Sequence, residues 1–272
     1  MKRIVITGCS SGFGKLMAEA FAREGWQVLA TTRVPEQLAP QKNLQALAAD
    51  VTKGEGRAAV VSYVRDNWGG KLDCLVNNVG FGVNGAFETL LEEQVRRQFE
   101  VNVFSAMFLT KDLLPALRAA KGRIINLSSV LGFTGMPFAG IYASSKFALE
   151  GWSESLHYEL QPQEVQVALV EPGGFRTGFA KNVEWGAAND SPYAQPVQNF
   201  RNFFSRRMER NAGGNPEAVV RAVVKLAGGR RMPLRTRVGG DSQGLYFLRR
   251  FVPQRVADMV LRGVSRRLMG DG

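Results

Sequence analysis

The chain is poor in cysteine, nearly devoid of histidine, and has no long apolar run. Its two cysteines, Cys9 and Cys74, are too few and too far apart for a disulfide framework. They also lack the paired Cys/His spacing of a zinc centre, so no metal site is expected. A single histidine, His157, argues against a His-based triad and reads as a surface or helix-packing residue. So few thiols fit a reducing compartment, and a cytoplasmic protein is expected. No apolar run reaches the about 18 to 20 residues that span a bilayer. Met1-Lys2-Arg3 imitates the basic front of a signal peptide. Only Ile4-Val5-Ile6 follow before Thr7-Gly8, however, so no export signal is read.

What is there is ordinary globular material. The 272 residues, 45% hydrophobic and 22% charged, exclude disorder, collagen-like repeats and coiled coil. They suffice for one domain with a full core and no staples, taken to span residues 1–272. The net charge of +11 sits at one end. Residues 1–199 hold 19 Lys/Arg and 19 Asp/Glu, whereas residues 200–272 hold 16 against 5.

Short apolar runs at 3–7, 28–32, 44–49, 72–76, 123–127 and 165–170 predict strands. Between them, helical spacing is read at 15–23, with Leu16, Ala20 and Phe21 inward, at 58–68, and at 144–160. A long helix is expected over 92–119, bent near Pro115. Strands that are continuously apolar and alternate with helices predict a parallel sheet covered on both faces. After Pro172 the pattern loosens: a loop over 173–195, helices over 196–211 and 216–227, and a last short strand at 238–240. A tail from Leu245 divides at Pro253 into two amphipathic pieces.

Thr7-Gly8-Cys9-Ser10-Ser11-Gly12-Phe13-Gly14 joins the first strand to the first helix. Gly8, Gly12 and Gly14 allow a sharp turn and close backbone approach to a pyrophosphate. The helix N-terminus behind them offers free N–H groups and a positive dipole end. In an alternating α/β chain this position points to a dinucleotide. Ala30-Thr31-Thr32-Arg33 ends the second strand without the carboxylate that would bond the ribose of NAD. Arg33 suits a bidentate contact with the 2′-phosphate of NADP, with Ser11 near it; a solvent-facing loop arginine is the other reading. NADP(H) is thus favoured, with NAD(H) as the alternative.

The spacing Thr-Gly-x-x-x-Gly-x-Gly resembles the short-chain dehydrogenase/reductase family, and later segments strengthen the resemblance. Asp50-Val51 follows the third strand, where the family contacts the adenine. Asn77-Asn78-Val79-Gly80 resembles its Asn-Asn-Ala-Gly, with Val79 adding bulk beside the cofactor but removing no polar group. Tyr142-Ala-Ser-Ser-Lys146 places a phenol and an ammonium at i and i+4 on one helix face. A nearby ammonium favours the phenolate and is expected to lower the phenol's pKa. Ser129 stands at the family's catalytic-serine position, with Ser128 as the neighbouring alternative. Asn102 corresponds to the family residue that holds a proton-relay water; otherwise it is a buried Asn satisfying backbone groups. Pro172, Gly173 and Thr177 resemble the segment that contacts the nicotinamide carboxamide, and Lys146 would bond its ribose.

The resemblance covers residues 3–180 closely and 181–272 loosely. It implies a Rossmann-type, doubly wound α/β sheet and hydride transfer between NADP(H) and a carbonyl or alcohol. Tyr142 would be the proton donor and Ser129 would stabilise the alkoxide. Cys9-Ser-Ser-Gly-Phe-Gly and Phe147-Ala-Leu-Glu-Gly-Trp-Ser-Glu-Ser-Leu resemble the hydroxysteroid and retinol dehydrogenase branch. A substrate-loop and lid region is expected over 174–211, a basic extension over 240–272. Phe175, Phe179, Trp185, Tyr193, Phe200, Phe203 and Phe204, with Phe133, Met136, Pro137 and Phe138, suggest a bulky apolar substrate; packing of a lid helix explains them as well. Val256, Met259, Val260, Val264 and Leu268 form an apolar stripe beside Arg255, Arg262, Arg266 and Arg267. Segment 245–268 could lie on an anionic membrane, or cap the core or a subunit interface. A homodimer or homotetramer through the two long helices is expected, and no nucleic-acid partner. Other readings are a non-catalytic NADPH-binding sensor, a peripheral membrane protein, or an epimerase or dehydratase of the extended type.

Overall fold

A computed structural model describes residues 1–187, 191–209 and 214–270. Positions 188–190 and 210–211 of the expected lid, and 271–272 of the extension, lie outside the described residues. The strands are β1 (Arg3–Ile6), β2 (Gln27–Thr32), β3 (Leu44–Ala48), β4 (Cys74–Asn77), β5 (Gly82–Asn84), β6 (Arg123–Leu127), β7 (Gln166–Pro172), β8 (Val183–Trp185) and β9 (Arg235–Val238). The helices are α1 (Gly12–Arg23), α2 (Gly54–Trp68), α3 (Glu92–Phe99), α4 (Ser105–Ala120), α5 (Gly140–Leu160), α6 (Ala194–Glu209), α7 (Glu217–Gly228), α8 (Gly240–Phe251) and α9 (Gln254–Met269).

Seven strands make one all-parallel sheet in the order β3-β2-β1-β4-β6-β7-β9. The central strands β1, β4, β6 and β7 are largely apolar because both of their faces are buried, whereas the edge strands β3 and β9 are only half-buried and β9 carries Arg235 and Arg237. Ile4 and Ile6 point to one side with Val28, Val76 and Ile125, where Met17 and Phe21 of α1 and Val219 and Val223 of α7 cover them. Val5 points to the other with Leu29, Leu75 and Ile124, under Val60 of α2, Leu109 and Leu113 of α4 and Leu156 of α5. This is the doubly wound α/β arrangement that the alternating pattern predicts. Chain order reverses between β1 and β4, which opens a crevice at the carboxyl ends of the strands.

Several elements differ from expectation. The inward face of α1 centres on Met17, Ala18 and Phe21, and Leu16 and Ala20 only flank it. The long helix is divided by a π-turn over Glu100–Phe104, not by Pro115. Pro115 sits on the exposed side of α4, where water can take the carbonyl bond that the ring forgoes. The last strand ends at Val238, because Gly239 turns the chain at φ +106° into α8. Within the expected 173–195 loop, β8 pairs in parallel with β5 as a separate two-stranded sheet.

Candidate active site

The glycine loop is built for close approach. Gly8 (φ +72°) and Gly12 (φ +56°) adopt left-handed conformations that side chains disfavour. Gly14 has a different task from the one its motif suggests. A Cβ there would lie 2.2 Å from the Gly8 carbonyl oxygen and 2.6 Å from Asn78 Nδ2. Its bareness lets α1 seat against the loop, and it does not line the cavity. Thr7 Oγ1 accepts from the backbone N–H of Asn78 (2.9 Å) and Val79 (3.1 Å), and Asn78 Nδ2 donates to the Thr7 carbonyl at 2.8 Å. The ends of β1 and β4 are thereby tied together under the loop.

One cavity of about 1900 Å³ runs along the carboxyl ends of the strands. Gly8, Ser10, Ser11, Gly12, Phe13, Arg33, Asp50, Val51, Asn78, Val79 and Gly80 line it at one end. Ser129, Tyr142, Lys146, Pro172, Gly173 and Thr177 line it further along. The bare loop, the free helix N-terminus and the guanidinium of Arg33 at the rim fit a dinucleotide phosphate chain. Arg33 is exposed, and Asp50 Oδ1 is held by the N–H (3.0 Å) and hydroxyl (2.7 Å) of Thr52.

Tyr142 and Lys146 project from the first turns of α5. The Lys146 ammonium donates to the Leu127 carbonyl at 2.8 Å and lies 5.8 Å from the Tyr142 ring centroid. Burial pushes this ammonium down to about 8, and the Glu150 carboxylate one helical turn on holds it up in part. Burial likewise pushes the Tyr142 phenol up to about 12, and a hydrogen bond with Ser129 draws it partly back. The shift is opposite to the expectation from the Tyr-Lys spacing, since desolvation of the phenolate outweighs the Ser129 hydrogen bond that opposes it. Ser129 is also the N-cap of a short turn, its Oγ accepting from Leu131 N at 3.1 Å. Ser128 looks the other way: a Cβ on Gly132 would meet Ser128 Oγ at 2.6 Å and Glu150 Oε1 at 3.2 Å.

Asn102 is buried in the π-turn, behind the cavity wall at Gly80. Its Oδ1 accepts from Phe81 N, and its Nδ2 donates to the Phe81 carbonyl, both at 3.0 Å. Nδ2 also lies 3.1 Å from Ser145 Oγ on α5. Thr177 Oγ1 accepts from Phe179 N at 3.3 Å, and Phe179 lies over Tyr142 with ring centroids 5.6 Å apart. Of the aromatics expected to shape the pocket, Phe175, Phe179, Phe203 and Phe204 line the cavity with Met136. Phe200 is buried against Phe138 and Trp185, and Phe133 packs on Tyr246. Cys9, although it belongs to the glycine loop, turns into the core and bonds the Ile6 carbonyl; burial drives its pKa far above the ordinary thiol range.

The short chain dehydrogenase family model matches residues 2–187. The chain belongs to the short-chain dehydrogenase family. It is 37% identical to 3-ketodihydrosphingosine reductase of Bacteroides thetaiotaomicron over 89% of this chain and 90% of that protein. It is 36% identical to bovine retinol dehydrogenase 8, over 87% and 81% respectively. A solved short-chain dehydrogenase from Streptomyces avermitilis superposes with a TM-score of 0.82 at 34% identity, covering 98% of each chain. Two others at 25% identity carry nicotinamide cofactors. A Brucella melitensis 3-ketoacyl-(acyl-carrier-protein) reductase holds NADH (TM-score 0.75; 89% and 98% covered), and a metagenomic short-chain oxidoreductase holds NADP (0.68; 87% and 96%). This short-chain dehydrogenase is therefore an NAD(P)-dependent oxidoreductase acting on a small molecule.

Around the site of this short-chain dehydrogenase lie buried polar residues that motif reading passed over. Gln98, fully buried, accepts from Val83 N at 2.6 Å and donates to the Phe81 carbonyl at 2.8 Å, alongside Asn102. Asn77 Nδ2 donates to Asn126 Oδ1 at 2.8 Å, and Asn126 Nδ2 to Ser153 Oγ at 2.8 Å, which ties β4 and β6 to α5. Glu171, 1% exposed, faces Arg237 at 2.9 Å and Arg235 at 3.5 Å. A polar residue inside an otherwise apolar run, as in Ile124-Ile125-Asn126-Leu127, is the signal that could have found Asn126.

Proposed function

We propose that this chain is an NADPH-preferring carbonyl reductase or alcohol dehydrogenase for a bulky, apolar substrate. The carrying observation is a half-buried tyrosine, Tyr142, whose phenol is hydrogen-bonded to Ser129, with Lys146 behind it, in one cavity with the glycine loop. Gly8, Ser10, Ser11, Gly12 and Phe13 would hold the pyrophosphate, Asp50 and Val51 the adenine, and Arg33 the 2′-phosphate. Asn78, Val79, Gly80, Lys146, Pro172, Gly173 and Thr177 would surround the nicotinamide half. A bound nicotinamide supplies or accepts the hydride.

The protein's own contribution is protonic and electrostatic. With its pKa near 12, Tyr142 keeps its proton at neutral pH and can give it to a carbonyl oxygen as charge develops there. Ser129 donates a second hydrogen bond to that oxygen, and Lys146, largely charged below about 8, biases the potential around the phenol. Asn102 is a positioning residue: it fixes the Phe81 segment and α5, and so the seat of Tyr142 and Lys146.

Phe179, Phe203 and Phe204, from the described part of segment 174–211, present apolar walls to the cavity with Met136, which supports reading this segment as the cover of the substrate end. These walls support a steroid-, retinoid- or aryl-ketone-like ketone or alcohol, and the retinol and 3-ketodihydrosphingosine names of two relatives add weight to the retinoid class and bring in a long-chain one. Exposed Phe104 at the end of the π-turn, Phe108 of α4 and Phe147 of α5 support a dimer or tetramer through these helices. A monomer mass in light scattering removes that part of the reading. The chemistry is tested by following reduced-nicotinamide absorbance over ketones of these classes with wild type and Tyr142→Phe. The variant should lose about 10² to 10⁴-fold in turnover while binding NADPH as before. Undiminished turnover removes Tyr142 from its role.

A further inference from the structure

Helix α9 presents two different outer faces. At about 100° per residue, Ala257, Leu261 and Leu268 point toward the body of the protein, and Ala257 is 2% exposed. Val256, Met259 and Val260 lie toward the outward side, with Met259 66% exposed, and the half-exposed Val264 lies between them and the inward face. Arg255, Arg262 and Arg266 form an adjacent exposed row. Asp258, the only carboxylate of α9, is paired with Arg249 of α8 at 3.5 Å, and Asp241, the only one of α8, with Arg207 of α6 at 2.5 Å. The arginine row therefore has no acidic counterweight on its own hairpin. Toward the turn between the helices Phe247 and Phe251 pack in a tilted pair with centroids 5.3 Å apart, and both are over 60% exposed.

The same helix walls the cavity. Val264 and Leu268 of α9 line it together with Leu245 of α8 and Phe203 and Phe204 of α6, and Tyr142 lies in the same space. Val264 is half exposed, so the outer apolar strip runs on into the cavity mouth. An exposed apolar strip with a basic border suits a surface that is apolar below and anionic above. A second copy of the chain suits it poorly, because a two-fold contact on this strip would bring the two arginine rows together.

We propose that the α8–α9 hairpin docks the protein on an anionic phospholipid bilayer, laying Met259 and Val260 into the headgroup boundary and opening the cavity toward the lipid. The contact is peripheral: among the described residues no helix is long and apolar enough to cross a membrane. It stands apart from the chemistry at Tyr142, and its test needs no turnover.

The full chain is floated with vesicles of phosphatidylcholine, with and without about a quarter phosphatidylglycerol. It should rise with the anionic vesicles alone and be released by salt. Arg255→Gln/Arg262→Gln/Arg266→Gln should bind them about a hundredfold more weakly. Met259→Ser/Val260→Ser should lose about tenfold or more. These five side chains are exposed and outside the cavity, so circular dichroism and NADPH binding should stay as in the parent. The proposal is overturned if anionic vesicles do not carry the parent, or if both variants float as it does. It is equally overturned if Met259→Ser/Val260→Ser splits an oligomer and leaves flotation unchanged, since a second copy then covers the strip.

Discussion

Arg33 is the only guanidinium at the end of β2, and it is exposed and lines the same cavity as Ser10 and Ser11. If it pairs with a 2′-phosphate, losing the side chain removes charge-assisted bonds worth about 1.5 to 3 kcal/mol. Arg33→Ala should therefore raise the KM for NADPH about ten- to a hundredfold and leave that for NADH nearly unchanged. Equal effects on both cofactors would make Arg33 an ordinary surface residue. At this scale the residue types were readable, because glycine, arginine and the Tyr-x-x-x-Lys pair carry their chemistry in their spacing. The direction of the Tyr142 shift was not. It depends on how much water the fold removes, and a spacing of four residues says nothing of that. Gly14 taught the same lesson: its motif implied the ligand, but its missing side chain makes room for Gly8 and Asn78.

At the scale of elements, the π-turn over Glu100–Phe104 is the chief departure from pattern. Asn102 sits where an apolar residue would ordinarily face the core, and the extra residue in the turn aims its amide at Phe81 and Ser145. Asn102→Leu would leave the buried Phe81 N–H without its partner and cost about 1 to 3 kcal/mol. A urea melt should show this loss. If Asn102 positions α5, kcat should fall at temperatures where the variant is still fully folded; an unchanged kcat there would leave it a purely structural residue. A single polar letter in a helical run marks such a spot without saying which way the backbone gives. The three-residue strands β5 and β8 were invisible for a simpler reason: with so few positions, neither alternation nor propensity rises above the surrounding loop.

Across the whole molecule, the alternating runs disclosed a parallel sheet but not its order. Which strands neighbour each other is decided by long-range packing, and with it the charges that meet at the far edge. There Glu171 of β7 meets Arg235 and Arg237 of β9. Burial first, then the Glu150 carboxylate, raise the Glu171 carboxyl from 4.5 to about 7, against the two arginines. Its folded value lies above its unfolded one, so its contribution to stability is complete below about 4.5 and lost as pH rises through about 7. Lys146 has the opposite displacement: the folded state binds fewer protons between about 8 and 10.5, and stability rises with pH there. The advantage of Glu171→Gln over the parent should accordingly grow between pH 4.5 and 7 and level off above it, as read from urea midpoints. A constant difference across that range would mean that Glu171 is ionised throughout.

Both thiols of the chain, Cys9 and Cys74, are completely buried, so the protein's surface offers no sulfhydryl to a reagent. A maleimide probe should pass the folded parent by. One cysteine introduced on an outward position such as Met259 would then be the sole point of attachment for a fluorophore or nitroxide, and the natural cysteines need not be removed first. The molecule comes ready for spectroscopic labelling, and its own depth relative to a lipid surface becomes something that a single dye can read.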